Sequence, residues 1–599
     1  MAAQPPSANS PSNHADSERL DSWKEIAVYL RRDLRTVQRW EEHEGLPVHR
    51  HLHGKQGSVY AFRQELDAWL ANRQPDPKPG PRAAQQNNDV ALLGSRAAPS
   101  KAGQRKLATY AVAALTLLLA AGGVMIWRRT HREPSTRALV QTDTLAVLPF
   151  EDLSQNHSDG YVADGLTDDL ITDLGETGRL PVISRTSVME FKDKNEPLQK
   201  IAQALHANLI IEGTILRSGD RVRITAQLID ASNDHHLWAD RFERNFHNVL
   251  TLQDDVAGDI VAAVEEKLTG NVATRQPPRP VNPEARVAYL TGRFYWNQRD
   301  EPGLKEAIRY FDQAIAKDPD YAAAYSGLAD CYNLLSVWGS LTPNEAFPEA
   351  RKDALRAIQL DPNSAEPYTS LAFETYRYQW DFAGAEKDFQ KAIALNPNYV
   401  TAHQWYGEFL GDIRRFDQGI AELRKAQQLD PLSPIVGCDL AACYMHAGRD
   451  QEAVAVLQQI VARQPDFAAA HNYLASAYYY EGDYSDSEKE RTVYVRLSGD
   501  NGEDEVLRIS GEWASGKKEQ ARREMEALLA SAKEGRFGYV QMAQMYASVG
   551  DKDKAFACLN KAYKEHSWWL VTMEVEPAFD PLRNDPRFQE LERRVGLPQ

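Results

Sequence analysis

Proline recurs at Pro319, Pro362, Pro397, Pro431 and Pro465, at spacings of 43, 35, 34 and 34 residues. That regularity constrains the carboxyl-terminal half more than any other feature, because a proline ends a helix and a fixed period means one structural unit repeated. Small residues fall where two antiparallel helices of a unit must approach: Ala307 and Ala314 before Pro319, Ala385 and Ala392 before Pro397, Gly407 and Ala426 before Pro431, Ala441 and Ala453 before Pro465. Large residues recur beside them, as in Leu440/Tyr444, Leu474/Tyr478 and Met542/Tyr546, and Gly448, Gly482 and Gly550 mark the turn between helices.

A 34-residue period with this pattern resembles the tetratricopeptide repeat over residues 285–570. Six units match well, a divergent one fits residues 502–535, and residues 536–569 recover the pattern through Ala543, Tyr546, Gly550, Ala555 and Ala562. The longer first spacing holds an insertion near residues 339–345, and residues 571–599 are expected to cap the stack. The resemblance implies an all-α solenoid with an extended concave surface for a protein or peptide partner. Trp296, Tyr378, Trp380, Trp405 and the cluster Tyr478, Tyr479 and Tyr480 are candidates for that surface, although their spacing fits repeat core at least as well. No basic clamp for peptide carboxylates is evident. All four cysteines, Cys331, Cys438, Cys443 and Cys558, fall among the helices without a CxxC pair and read as small buried thiols.

The net charge of −16 is unevenly spread: residues 1–132 carry 19 Lys and Arg against 12 Asp and Glu, a balance of +7, which leaves −23 for the rest. A polyanionic partner therefore belongs to the amino-terminal part, and the acidic remainder suits a basic or apolar one. After a polar leader (1–16), SWKEIAVYL (22–30) pairs Ser22 with Glu25 as a capping box and sets Trp23, Ile26, Ala27 and Leu30 on one helical face. A short break leads to LRTVQRWE (34–41), where Val37 and Trp40 point inward and Arg35, Thr36, Gln38 and Arg39 outward. Arginine suits guanine edges or phosphates, while Gln and Thr suit adenine or a thymine methyl. PVHRHLHGKQG (47–57) forms a basic hairpin whose Arg50 and Lys55 suit a phosphate backbone or the minor groove, followed by a strand and a closing helix over 63–70. The ordered set SWKEIAVYL, RTVQRW, LPVHRH and YAFRQELDAWL resembles excisionase and MerR-like winged helix domains and implies double-stranded DNA binding by residues 17–72. His49, His51 and His53 alternate, but no cysteine is near, so a wing facing phosphates is the better use and no metal is expected.

Residues 73–106, rich in Pro, Gln and Asn, form a linker. Residues 107–127 then run without a charge, a length of about 31 Å as a helix, close to the thickness of bilayer hydrocarbon. Read as a span, this run makes the chain a single-pass protein of the bacterial inner membrane in contact with the lipid bilayer. The DNA-binding head fixes the amino terminus in the cytoplasm, because the flanking Lys and Arg are balanced and do not orient the run. Small residues at Thr109/Ala113 and Thr116/Ala120 are compatible with a homodimer.

Residues 140–270 alternate short apolar strands with amphipathic helices and predict a compact α/β domain. Strands are expected at 145–150, 181–185, 208–216, 221–229 and about 237–239, and helices at 165–174, 198–205 and 248–268. TLAVLPFEDLS, DGLTDDLITDL, VISRTS, ANLIIEGTI, VRITAQLIDA and LWADRFER together are similar to the amino-terminal domain of TolB, which implies a sensing or interaction module. Asp168, Asp169 and Asp173 read as a solvated helix face, with Asp164 as a cap.

The fold class expected is thus multidomain: winged helix-turn-helix, one transmembrane helix, an α/β domain and a tetratricopeptide solenoid. In layout this resembles membrane-anchored one-component transcriptional regulators of the CadC and ToxR type, with sensing domains outside the cytoplasm. The alternative is a repeat scaffold of an envelope complex. An enzyme is not expected, since GxxxxGK[ST], HExxH and GxSxG are all absent, and no cofactor is implied.

Overall fold

The computed structural model describes residues 19–20, 22–30, 32, 37, 40–41, 46–50, 59–72, 143–154, 160–194, 196–245, 249–269, 279, 281–337, 341–499, 503–531 and 538–598. They belong to two units, Met1–His131 and Arg132–Gln599.

In the first unit, β1 (Arg19–Leu20), α1 (Trp23–Tyr29), β2 (His49–Arg50), β3 (Val59–Phe62) and α2 (Arg63–Asn72) follow in order. The strands make an antiparallel sheet of order β1-β3-β2. The Ser22 hydroxyl accepts the Glu25 N–H at 3.2 Å, the forward half of the capping box, and starts α1. Ile26, Ala27, Leu30, Val37, Trp40, Ala61 and Leu66 are buried together. The apolar face read from the sequence is therefore the core of this unit. Tyr29 donates to Asp67 at 2.8 Å and Trp40 meets Trp69 at 5.5 Å, which fastens α2 to the rest.

The second unit opens with a five-stranded mixed sheet. Its elements are β4 (Leu145–Val147), β5 (Glu151–Asp152), α3 (Gly160–Glu176), α4 (Arg185–Met189), α5 (Leu198–Leu205), β6 (Leu209–Ser218), β7 (Arg221–Asp230), β8 (His235–Asn245) and α6 (Val249–Thr269). The order is β4-β6-β7-β8, with β4 and β5 both parallel to β6 and the last three strands antiparallel. Apolar residues cover both faces of the short parallel strands, as a sheet sandwiched between helices requires. Leu145 and Val147 pack with α3 and α6, whereas Ala146 and Ile210 pack with α4 and α5. Gly213 allows Phe150 to lie across β6, since a Cβ there would be 2.3 Å from the ring. The strand expected at 181–185 shrinks to one bridge, Val182 to Leu145, because Ser184 caps α4 instead.

Helix pairs follow: α7 (Pro283–Trp296) with α8 (Glu301–Lys317), α9 (Ala322–Val337) with α10 (Pro343–Leu360), and α11 (Glu366–Glu374), continued by a π turn, with α12 (Phe382–Leu395). Then come α13 (Val400–Asp412) with α14 (Phe416–Leu429), α15 (Pro434–His446) with α16 (Asp450–Arg463), and α17 (Ala468–Glu481) with α18 (Tyr484–Ser498). The series closes with α19 (Glu503–Ala514), α20 (Lys518–Ser531), α21 (Tyr539–Ser548), α22 (Lys552–Lys564) and, after two 3-10 turns, α23 (Pro586–Val595). This is a tetratricopeptide solenoid. The small residues named from the sequence are buried at its helix contacts, and Gly448, Gly482 and Gly550 take φ values of +70°, +86° and +81°, which glycine adopts freely.

The closing prolines have a use the period did not reveal. A carbonyl just past a helix end has no helical partner, and here the residue six places after the proline supplies one. Tyr325 and Tyr368 donate to the Pro319 and Pro362 carbonyls at 3.2 Å each. His403 and His471 do the same for Pro397 and Pro465 through Nε2 at 3.0 and 2.9 Å, while Nδ1 meets Glu422 or Glu490 at 2.6 Å. After Pro431 the equivalent residue is Gly437, and the bond is missing.

The solenoid also folds back on itself. The Trp568 indole donates to the Ser336 carbonyl at 3.1 Å, Arg377 lies 4.8 Å over the Trp568 ring, and Trp380 stacks on His566 at 4.7 Å. The segment after α22 therefore rests on the second and third helix pairs rather than only closing the last one.

The membrane expectation is corrected. Among the described residues no helix is long and apolar enough to cross a membrane. The longest, α6, carries Asp254, Asp255, Asp259, Glu265, Glu266 and Lys267, charges that a bilayer core would not accept. Residues 107–127 lie outside the described residues. The single transmembrane helix, the lipid bilayer as partner and the single-pass inner-membrane location are accordingly withdrawn; solenoid and mixed sheet stand without them.

Candidate functional site

The sheet domain docks on the solenoid, and it does so through the turns that close the repeats. The Asn398 amide donates to two carbonyls of the sheet domain, Gly175 at 2.9 Å and Leu180 at 3.0 Å. One repeat further on, the Ser187 hydroxyl donates to Asp430 at 2.5 Å and accepts the Leu432 N–H at 2.9 Å, while the Ser184 N–H reaches the Leu429 carbonyl at 2.7 Å. Leu432 enters the apolar cluster of α4 and α5. Burial raises the Asp430 carboxyl above its ordinary pKa, and the two serines, Ser187 and Ser184, pull it the other way.

One aspartate of α3 belongs to this contact, and two others pair within the sheet domain. Asp169 pairs with Arg286 of α7, Asp168 with Arg185 at 3.5 Å, and Asp164 with Lys192 at 2.7 Å. The solvated face expected from the sequence is thus half-buried in ion pairs, one of them across the domain contact, and Asp164, inside α3 rather than at its start, is an ion-pair partner rather than a cap. Helical periodicity distinguishes polar from apolar but cannot tell water from a partner domain, which is why this was misread.

A cavity of about 210 Å³ lies at the junction, between α3 and α4 on one side and the first helices of several repeats on the other. Arg185, Arg293, Trp296, Arg299, Tyr399 and Phe467 are among its walls. Arg293 has Asp330 at 4.0 Å, at the limit of an ion pair. Arg299, held at φ +56°, stacks its guanidinium 3.6 Å over the Trp296 ring. Among the described residues it makes no ion pair or hydrogen bond to a carboxylate. Burial pulls Arg299 down to about 10, with Arg293 adding to the effect and Asp330 opposing it. Asp330 is itself pushed up to about 6 by burial, against the hydrogen bond from Ser370 and the two arginines. Trp296 is only 2% exposed, yet its indole N–H finds no acceptor among the described residues.

Two expected binding aromatics, Trp296 and Trp405, are each 2% exposed, as core residues are. Tyr378 stacks on Phe347 at 5.4 Å. The repeats are partly covered, by the sheet domain and by the folded-back carboxyl-terminal segment. The four cysteines are buried free thiols.

Of the side chains expected to meet DNA, Arg35, Thr36, Gln38, Arg39 and Lys55 lie outside the described residues. The backbone of Arg50 pairs with Val59 between β2 and β3. His49 is committed elsewhere: its Nε2 lies 2.7 Å from Glu65, and its ring stacks on Tyr60 at 5.2 Å. His51 and His53 lie outside the described residues, and among those described no cluster of three or more metal-ligating residues forms.

Residues 141–258 match the family described as HilA/YgeH-like transcriptional regulator, second domain. Residues 303–365, 371–434, 414–478 and 538–565 match tetratricopeptide repeat families. The chain is 34% identical over 232 residues to a putative adenylate cyclase 3 of Rhizobium meliloti, which covers 38% of this chain and 39% of that protein. It is 23% identical over 313 residues to the transcriptional regulator HilA of Salmonella typhimurium, covering 52% of this chain and 55% of that one. The chain thus spans from 39% to 55% of the length of these curated relatives. A solved Pseudomonas aeruginosa PilF structure is similar at 19% identity, covering 37% of this chain and 96% of that chain, with a TM-score of 0.29. The chain carries a HilA-like transcriptional regulator domain followed by tetratricopeptide repeats. The first suggests transcription regulation and DNA binding, the second protein partners; the matched families are of kinds that are typically not enzymes.

Proposed function

We propose that the protein is a one-component transcriptional regulator. Its amino-terminal unit reads double-stranded DNA as a winged helix, with Arg35, Thr36, Gln38 and Arg39 in the major groove and Arg50 and Lys55 on the backbone or in the minor groove. The observation that carries this reading is the order of parts: a basic amino-terminal unit with a helix-turn-helix pattern stands ahead of a domain matching HilA-like regulators. The sheet domain, also similar in its motifs to the amino-terminal domain of TolB, transmits the state of the repeats through the contact at Asn398, Ser187 and Asp430. The repeats take a protein partner on the surface the docked domain leaves open. A homodimer would bring two heads to paired half-sites about one helical turn apart.

Selection of bound fragments from genomic DNA by the full chain tests the reading. Recovery of a shared sequence, with affinity that falls steeply as salt rises, supports it. Recovery of no preferred sequence contradicts it and leaves the repeats as a scaffold.

A further inference from the structure

The cavity between sheet domain and repeats has the makings of a ligand site. It is built from both domains, so its shape depends on their being docked. Its volume of about 210 Å³ corresponds to roughly seven water shares of about 30 Å³, or a molecule on the order of seven to ten non-hydrogen atoms. Its wall sets three carboxylates, Asp168, Glu366 and Asp430, against three arginines, and two of its donors have no hydrogen-bond partner among the described residues. Arg185 has Asp168 at 3.5 Å and Arg293 has Asp330 at 4.0 Å, but Arg299 has only the Trp296 ring beneath it among the described residues. The Trp296 N–H is also without an acceptor although the residue is 2% exposed. The buried Trp296 N–H, and the half-buried Arg299 guanidinium stacked on its ring, call for an acceptor, since leaving the buried N–H unmade is costly and a guanidinium fits a carboxylate edge-on. Beside them Tyr399 and Phe467 offer aromatic surface to a ligand body.

We propose that this cavity binds a small organic carboxylate, its two oxygens held by the Arg299 guanidinium and the Trp296 indole N–H, and its apolar body lying against Tyr399 and Phe467. The site makes no use of DNA binding and stands apart from the regulator reading. A ligand there binds the folded chain and stabilises it.

Calorimetric titration of the full chain with benzoate, succinate and inorganic phosphate tests this. Benzoate, with nine non-hydrogen atoms and an aromatic body, is expected to bind saturably at one site per chain and to raise the melting temperature as its concentration rises. Arg299→Gln should weaken benzoate at least tenfold, and Arg299→Lys should weaken it less. Trp296→Phe keeps the ring while removing the donor, and should weaken it severalfold; it also serves should Arg299→Gln fail to fold. Succinate binding with the same dependence on Arg299 supports the same site and class. Absence of carboxylate binding at millimolar concentration, carboxylate binding unchanged in Arg299→Gln and Trp296→Phe, or binding of phosphate alone would each overturn the proposal.

Discussion

Asn398→Ala should loosen the sheet domain from the repeats without unfolding either. The amide makes two hydrogen bonds to the sheet domain, to the Gly175 carbonyl at 2.9 Å and the Leu180 carbonyl at 3.0 Å. The Gly175 carbonyl keeps a second partner, the Gly178 N–H at 3.1 Å, so losing Asn398 there costs only the net worth of one bond, about 0.5–1.5 kcal/mol. The Leu180 carbonyl loses its amide donor in a half-buried place, at about 1–3 kcal/mol. Together these give roughly 1.5–4.5 kcal/mol against docking, or about 12- to 1,600-fold in the open-to-docked ratio at about 1.4 kcal/mol per factor of ten. Hydrogen exchange followed by mass spectrometry on the full chain reads this directly. Peptides over residues 175–190 and 428–434 should exchange faster by that factor, while the β6–β7 ladder, with its ten paired positions, keeps its protection. Unchanged exchange at both docking segments would show that the domain is held by something other than the Asn398 contact.

Three further outcomes follow from particular packing and charge. Gly327→Ala places a Cβ 2.5 Å from the fully buried Phe311 ring, which has to give way inside a packed core. Overpacking should cost about 1–3 kcal/mol and outweigh the gain of about 1 kcal/mol from a better helix former; a urea midpoint at or above wild type would refute this. Asp353 is buried, and burial pushes its carboxyl up to about 6, with Glu349 and Asp312 adding to the rise and Lys352 opposing it. An unfolded aspartate titrates near 3.9, so the folded state holds the proton more tightly, and stability from this group is greatest below about pH 4 and declines as pH rises to about 6. Asp353→Asn should remove that decline, gaining on wild type between pH 4 and pH 7 in urea unfolding; an unaltered pH slope contradicts it. Glu592, pushed up to about 7 by burial with Glu574 adding to it, gives the same sign between about pH 4 and pH 7, so Glu592→Gln should flatten the upper part of that profile.

Much of this architecture is legible in local sequence. The period of the prolines, the alanines beside them and the glycines at the turns are local demands of helix pairs, and each is met where it was expected. The β6–β7 hairpin is equally local, since Ser218 and Arg221 flank its turn and the strands alternate. What escaped reading was contact between distant parts. Asp169 is polar whether it meets water or Arg286, and Asn398 looks like any turn residue until Gly175 is beside it. The residues that tie to the closing prolines were missed because Tyr325, Tyr368, His403 and His471 share a role without sharing a side chain. A column six places after each proline would have shown four donors and one glycine. The cavity was invisible for a related reason: Arg299 and Trp296 are near in sequence, but Phe467 and Arg185 reach them only through the fold.

DNA reading by the amino-terminal unit is tested most directly by the salt dependence of binding. With the full chain and its preferred fragment, log affinity against log salt should fall linearly, by about 0.9 per phosphate contact. Lys55→Ala should flatten that slope by about 0.9 for every sequence alike, whereas Gln38→Ala should leave the slope and cost about 1–3 kcal/mol of preference at one base pair. Slopes and preferences indifferent to both substitutions would contradict the reading.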